Sequence, residues 1–133
     1  MKEYSISIRN DNKVITKGTL TFAGVNTDGE TLSFTNYYME RNSKPFFVVC
    51  GEFHFSRYNH HQWEDEIVKM KMNGINIIST YIFWIHHEEL KGEWDWTANR
   101  NIRKFIKLCS KHNLYVIIRI GPFNHGEVRN GGF

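Results

Sequence analysis

From Pro45 onward, apolar and polar positions fall into a regular order. Residues 46–53 (FFVVCGEF) form a continuous apolar run, the pattern of a strand buried on both faces of a parallel sheet. A helix is expected next, with Asn59 placed to cap it and Gln62 three residues later in the capping-box position. Trp63, Ile67 and Met70 then repeat at i, i+4 and i+7. Glu64, Asp65 and Glu66 open this helix and Lys69 and Lys71 close it, as the helix dipole favours, and Asn73-Gly74 stops it. Residues 75–84 (INIISTYIFW) predict a second buried strand. A polar loop with His86, His87, Glu88 and Glu89 follows, and Thr97 is placed to cap another helix. Ile102, Phe105, Ile106 and Cys109 mark the inner face of that helix, and Arg103, Lys104, Lys107 and Lys111 its outer face. His112-Asn113 ends it, and residues 114–120 (LYVIIRI) predict a third buried strand, closed by Gly121-Pro122.

The first 44 residues read differently. Short β-prone pieces at 4–9, 19–22, 31–34 and 37–40 alternate with turn signals, Asn10-Asp11-Asn12 and Asp28-Gly29. Asp-Gly between β-prone flanks is a hairpin signal. Residues 1–44 are therefore expected to form an antiparallel β lead-in that packs on a larger α/β domain starting at residue 45.

Strand, helix, strand, helix, strand is the order of a parallel α/β fold. A doubly wound sheet and a (β/α) barrel both satisfy it. No glycine-rich phosphate loop follows any strand, which weighs against a dinucleotide-binding sheet.

Composition adds little. Aromatic residues make up 15% of the chain, which suits either a Phe-rich core or a site that stacks sugar rings. A net charge of +3 is too small, and the Lys and Arg too scattered, for a nucleic-acid surface. The opening residues lack an apolar stretch of signal-peptide length and no run approaches a membrane span, so the default expectation is a cytoplasmic chain. Cys50 and Cys109 have no partner at metal-ligand spacing and are expected as buried free thiols. No cofactor is expected.

The strand ends carry the chemistry. They read Gly51-Glu52-Phe53-His54-Phe55-Ser56-Arg57, then Thr80-Tyr81-Ile82-Phe83-Trp84 with His86-His87-Glu88, then Arg119-Ile120-Gly121-Pro122 with Asn124-His125-Gly126-Glu127. In a barrel these ends form one rim, and active sites collect there. Glu52, Glu88 and Glu127 put three carboxylates on it, and two carboxylates about 5–5.5 Å apart make a retaining glycosidase. For Glu52, a buried pair with Arg119 is the preferred reading over catalysis. A zinc site from His54, His86 or His87, and His125 with a glutamate is the weaker alternative, because no pair fixes two ligands on one helix. His60 and His61 read as a solvated helix start.

Together GEFHFSR, TYIFWIHHE and RIGPFNHGEVRNGGF resemble, in order and spacing, the opening of the catalytic domain of glycoside hydrolase family 35. The resemblance covers residues 32–133 and implies a partial (β/α)₈ barrel: its first three βα units, from an enzyme that removes terminal β-linked galactose with retention. It implies that Tyr81 contacts the sugar, that Glu127 hydrogen-bonds galactose hydroxyls, and that Asn124, His125 and Gly126 form the adjoining wall. Glu52, Trp84, Glu88 and Arg119 become rim or support residues. The family's acid/base and nucleophile would lie beyond Phe133, so the chain is expected to be an inactive fragment, with roughly 250 residues needed for a whole barrel. Ile85, His125-Gly126 and Val128 depart from the family pattern and leave related β-hexosides open. The competing expectations are a stand-alone galactose-binding module without catalysis and a self-sufficient enzyme using Glu88 and Glu127.

Overall fold

The computed structural model describes residues 3–7, 12–18 and 20–132, in two compact units, 1–47 and 48–133. The first is an antiparallel sheet of four short strands in sequential order: β1 (Gly24–Val25), β2 (Thr31–Phe34), β3 (Met39–Arg41) and β4 (Lys44–Phe46). The Asp28-Gly29 signal sits in the turn between β1 and β2, where Gly29 takes φ +79° and Asn26 Oδ1 accepts from the backbone N–H of Asp28 (3.0 Å) and Glu30 (2.8 Å). Asn42 and Ser43 join β3 to β4 with φ of +50° and +61°, the two left-handed residues of a tight hairpin whose twist matches its strands. Pro45 is tolerated because β4 is the edge of this sheet.

Expectations for this region need correcting. Described residues 4–7 and 20–22 are not strands, and residues 8–11 and 19, with the Asn10-Asp11 turn, lie outside the described set. The apolar run 46–53 is not one strand. Phe46 ends β4 in the first sheet, and only Cys50–Glu52 (β5) pairs in the second. Hydrophobicity marks such a run as burial-prone and says nothing of which sheet each half joins.

The second unit is a parallel sheet, β5, β6 (Ile77–Ile82) and β7 (Tyr115–Ile120), in that order. Cys50 pairs with Ile77, and Ile77 with Tyr115, so the three carboxyl ends lie side by side. Between the strands run helices α1 (Trp63–Met72), a single turn α2 (Trp84–His87) and α3 (Ile102–Lys111). Their core is Phe55, Trp63, Ile67, Ile78, Phe105, Cys109 and Leu114. Phe55, Trp63 and Phe105 meet ring to ring at 5.3–5.7 Å. Each such pair contributes about 1 kcal/mol beyond its buried area. The Trp63 indole N–H donates to the carbonyls of Phe55 (2.9 Å) and Tyr58 (3.1 Å), so nothing polar is stranded there.

Only central β6 is shielded on both faces along most of its length. Ile117, Ile118 and Ile120 of β7 are exposed, and Cys50 on β5 is exposed while Cys109 is buried. Both thiols are free, but one is not the buried group expected. Trp84 belongs to α2 and not to a strand. Helix caps also move. Gln62, not Asn59, precedes α1 and makes no side-chain cap bond, because Asn59 Oδ1 is taken by His61 N–H (3.0 Å). At α3 the cap is Asn101, accepting from Lys104 N–H (2.9 Å), because a 3₁₀ turn at Ala98–Arg100 separates Thr97 from the helix.

Candidate functional site

The parallel register sets Glu52 of β5, Tyr81 of β6 and Arg119 of β7 at neighbouring strand ends. They form one network. The Arg119 guanidinium pairs with Glu52, donates from Nη1 to the Tyr81 hydroxyl (2.8 Å) and lies 3.6 Å from the centre of the Tyr81 ring. His54 Nε2 donates to the same Glu52 carboxylate, and its ring stands 5.3 Å from that of Tyr81. The bond from His54 does most to hold the Glu52 carboxyl below the usual carboxylate range; burial opposes it, and the hydrogen bond and charge of Arg119 add to the lowering. The Glu52–Arg119 pair expected from sequence therefore exists. It is part-exposed rather than buried, with side-chain exposures of 46% and 34%. An ionised carboxylate committed to Arg119 and to the His54 ring is a poor proton donor and a hindered nucleophile.

The loop after β7 folds back on this network through Phe83. Asn124 is buried, and its Nδ2 donates to the Ile82 carbonyl (3.1 Å) while its backbone N–H donates to Gly131 O (2.7 Å). Its amide thus ties the loop to the end of β6. Gly126 lies on Phe83: a Cβ there would stand 3.2 Å from Phe83 Cε1, so an alanine would press on the ring. Phe83 in turn contacts His54 (5.7 Å) and Tyr81 (5.6 Å). Arg57 spans the gap, with its guanidinium 5.0 Å from the Phe83 ring and a hydrogen bond donated to the Glu127 carbonyl. Glu127 is thereby held by its backbone while its carboxylate is exposed and has no hydrogen-bond or ion-pair partner among the described residues. His125 is exposed beside Phe123, 5.2 Å ring to ring.

Glu88 is engaged elsewhere. One of its oxygens accepts from the Trp84 indole N–H and the other from Gly92 N–H (2.6 Å). His87 is buried and stacks on Trp96 at 4.2 Å. His60 holds Asn99 Oδ1 from both its backbone N–H (2.8 Å) and its ring (2.9 Å), so it docks a loop as well as facing solvent. Among the described residues, no three His, Cys, Asp or Glu side chains converge as a metal site.

Of the three rim carboxylates, Glu127 alone is free to accept hydrogen bonds from a ligand without first breaking one. Phe83 is an ordinary apolar residue and Arg57 an ordinary surface cation by sequence, so neither stands out there as a site residue. The signal that could have found Arg57 is its place closing GEFHFSR, the same segment that supplies Glu52 and His54.

A family model described as glycosyl hydrolases family 35 matches residues 33–133. A β-galactosidase of Canis lupus familiaris is 34% identical over 102 residues, covering 77% of this chain and 15% of that protein. Beta-galactosidase 14 of Arabidopsis thaliana is 37% identical over 109 residues, covering 82% and 12% respectively. A β-1,2-glucosyltransferase of Ignavibacterium album is 35% identical over 99 residues, covering 71% and 14%. The chain spans 12–15% of the length of these relatives.

Proposed function

The chain belongs to glycosyl hydrolases family 35, and from that premise we propose that its strand ends form the recognition side of a site for terminal β-galactosides. The sheet of β5, β6 and β7 is on this reading the opening of a (β/α)₈ barrel. The observation that carries the proposal is Glu127: an exposed carboxylate without a partner among the described residues, fixed through its backbone by Arg57. Such a group accepts two sugar hydroxyls with charge assistance. Tyr81 supports it. Its oxygen already accepts from Arg119, so its own proton points away, free for a ligand oxygen. Phe83 is buried and packs against the Tyr81 ring at 5.6 Å, which fixes that ring behind its hydroxyl.

Recognition and cleavage separate on this reading. Glu52 is committed to Arg119 and His54, and Glu88 to Trp84 and Gly92, so neither is offered as nucleophile or acid. The 133 residues bind a β-hexoside and do not cut it. The names of the relatives, which include a β-1,2-glucosyltransferase, leave glucosides as the competing sugar.

The test is isothermal titration of the chain with galactose and glucose, together with Glu127→Gln and Tyr81→Phe. Galactose is expected to bind saturably, and Glu127→Gln to weaken it roughly tenfold or more, the scale of one charge-assisted hydrogen bond. Equal affinity of parent and Glu127→Gln would remove Glu127 from the site.

A further inference from the structure

Next to the proposed galactose residues lies an open pocket of about 340 Å³ lined by Trp84, Glu88, Lys91 and Pro122. Trp84 directly follows Phe83, and Pro122 opens the loop that carries Glu127, so the pocket sits on the same strand ends. Its volume is at the lower end of the range for small-ligand sites, the size of a small ring system.

The pocket is built and not merely a gap. The Trp84 indole is 44% exposed, yet its N–H is fixed by Glu88, whose other oxygen is anchored on Gly92 N–H. Gly92 takes φ +86°, a conformation that glycine adopts without strain, so the turn presenting Glu88 is set by sequence. The indole continues into Trp94 at 5.4 Å, and Trp94 into Trp96 at 5.9 Å with ring planes 2° apart. Three half-exposed indoles in a row expose much flat apolar surface, and the clamp on Trp84 means little rotamer freedom is lost when a ligand stacks on it. The flanking polar groups are one carboxylate with unused lone pairs and one ammonium donor, the complement of a hydroxylated ring.

We propose that Trp84, held by Glu88 and flanked by Lys91, is a stacking subsite for a second sugar unit of a β-linked oligosaccharide. The C–H face of that unit lies on the indole, Lys91 donates to its hydroxyls, and Glu88 is a positioning residue that orients the indole. The subsite rests on the carbohydrate reading of the chain, and not on the particular roles of Tyr81 and Glu127.

Calorimetric titration with β-1,4-galactotriose, with circular dichroism to verify folding, tests it. The chain is expected to bind the trisaccharide more tightly than galactose. Trp84→Ala is expected to weaken the trisaccharide roughly tenfold, about 1.4 kcal/mol, while leaving galactose affinity unchanged. Lys91→Ala, on an exposed loop, and Glu88→Ala, which frees the indole without removing it, are expected to do the same to a smaller extent. Trisaccharide and galactose binding with equal affinity, or equal trisaccharide affinity in the folded variants, would overturn the subsite. Loss of galactose binding in Glu127→Gln with the Trp84 effect intact would separate the two sites. An unchanged Glu127→Gln with a sensitive Trp84→Ala would retain the subsite and reject the galactose assignment.

Discussion

His87 closes the turn of α2 with 1% of its surface exposed, sandwiched between Trp96 and Phe55 at ring distances of 4.2 and 6.3 Å. Its Nδ1 faces the Asp95 carbonyl at 3.0 Å and must therefore carry the proton. Its Nε2 is buried and unpaired, so protonation there would strand a charge. Burial accordingly lowers its pKa, opposed by the Asp95 carbonyl and reinforced by Arg100, and burial lowers His86 as well. With the folded pKa below the unfolded value, the unfolded chain binds more protons, and stability is complete above about pH 6.5 and falls as the pH drops from there. Glu52, Glu64, Glu66 and Asp95 are also shifted downward, Asp95 to about 2 chiefly by its bonds from Thr97, but these act below the ordinary carboxylate range. The two regimes are thus separable. The urea midpoint is expected to fall between pH 7 and pH 5, with a slope of at most about 1.4 kcal/mol per pH unit for each proton. His87→Asn, which keeps a donor for the Asp95 carbonyl and cannot titrate, is expected to flatten that slope. An unchanged slope would assign it to other groups.

At the scale of elements, the cap of α3 is a difference between local signals and packed structure. Asn101 accepts from Lys104 N–H at 2.9 Å, satisfying one of the orphan donors of the first turn, whereas Gln62 at the start of α1 makes no such bond. Asn101→Ala is expected to cost about 1 kcal/mol, and Gln62→Ala to change stability by no more than a few tenths, in thermal or urea unfolding. A loss of the same size at both positions would contradict the cap geometry. The helical interiors were legible because burial imposes a 3.6-residue period that Trp63, Ile67, Phe105 and Cys109 obey. The starts were not, because Asn59 and Thr97 carry the right side chains for a cap and spend themselves on preceding turns instead: Asn59 accepts from His61, and Thr97 donates to Asp95. The split of residues 46–53 between two sheets was equally hidden, since partner choice is a long-range property. At the candidate site, the Glu52–Arg119 pairing followed from sharing a sheet in the right order. Its exposure did not, because that depends on what lies over the strand ends. The commitment of Glu88 to Trp84 is an i, i+4 contact invisible until α2 is seen to be a helical turn.

At the scale of the whole molecule, one end of the three-stranded sheet gathers Glu52, Tyr81, Arg119 and Glu127, and of its three rim carboxylates only Glu127 has no partner among the described residues. Retaining hydrolysis needs one carboxylate able to attack and a second able to give and take a proton, about 5–5.5 Å apart. Glu127 meets the requirement of being free, but a partner for it would have to come from Glu52 or Glu88. Detaching Glu52 means leaving Arg119 without its counter-ion and His54 without its hydrogen-bond acceptor, and detaching Glu88 means releasing both the Trp84 indole and the Gly92 turn. Losing a charge-assisted hydrogen bond costs about 1.5–3 kcal/mol, and each detachment breaks two bonds to a charged group. That cost would be added to the chemical barrier at every turnover. The purified 133-residue chain is therefore expected to release no chromophore from a nitrophenyl β-galactoside while still binding galactose by calorimetry. Binding with no turnover, retained in Glu52→Gln and Glu88→Gln, fits a recognition surface whose acid, base and nucleophile roles are filled by other residues. Turnover by the parent chain that disappears in Glu88→Gln or Glu127→Gln would mean that Glu88 leaves its clamp during catalysis, and would make this sheet a complete glycosidase.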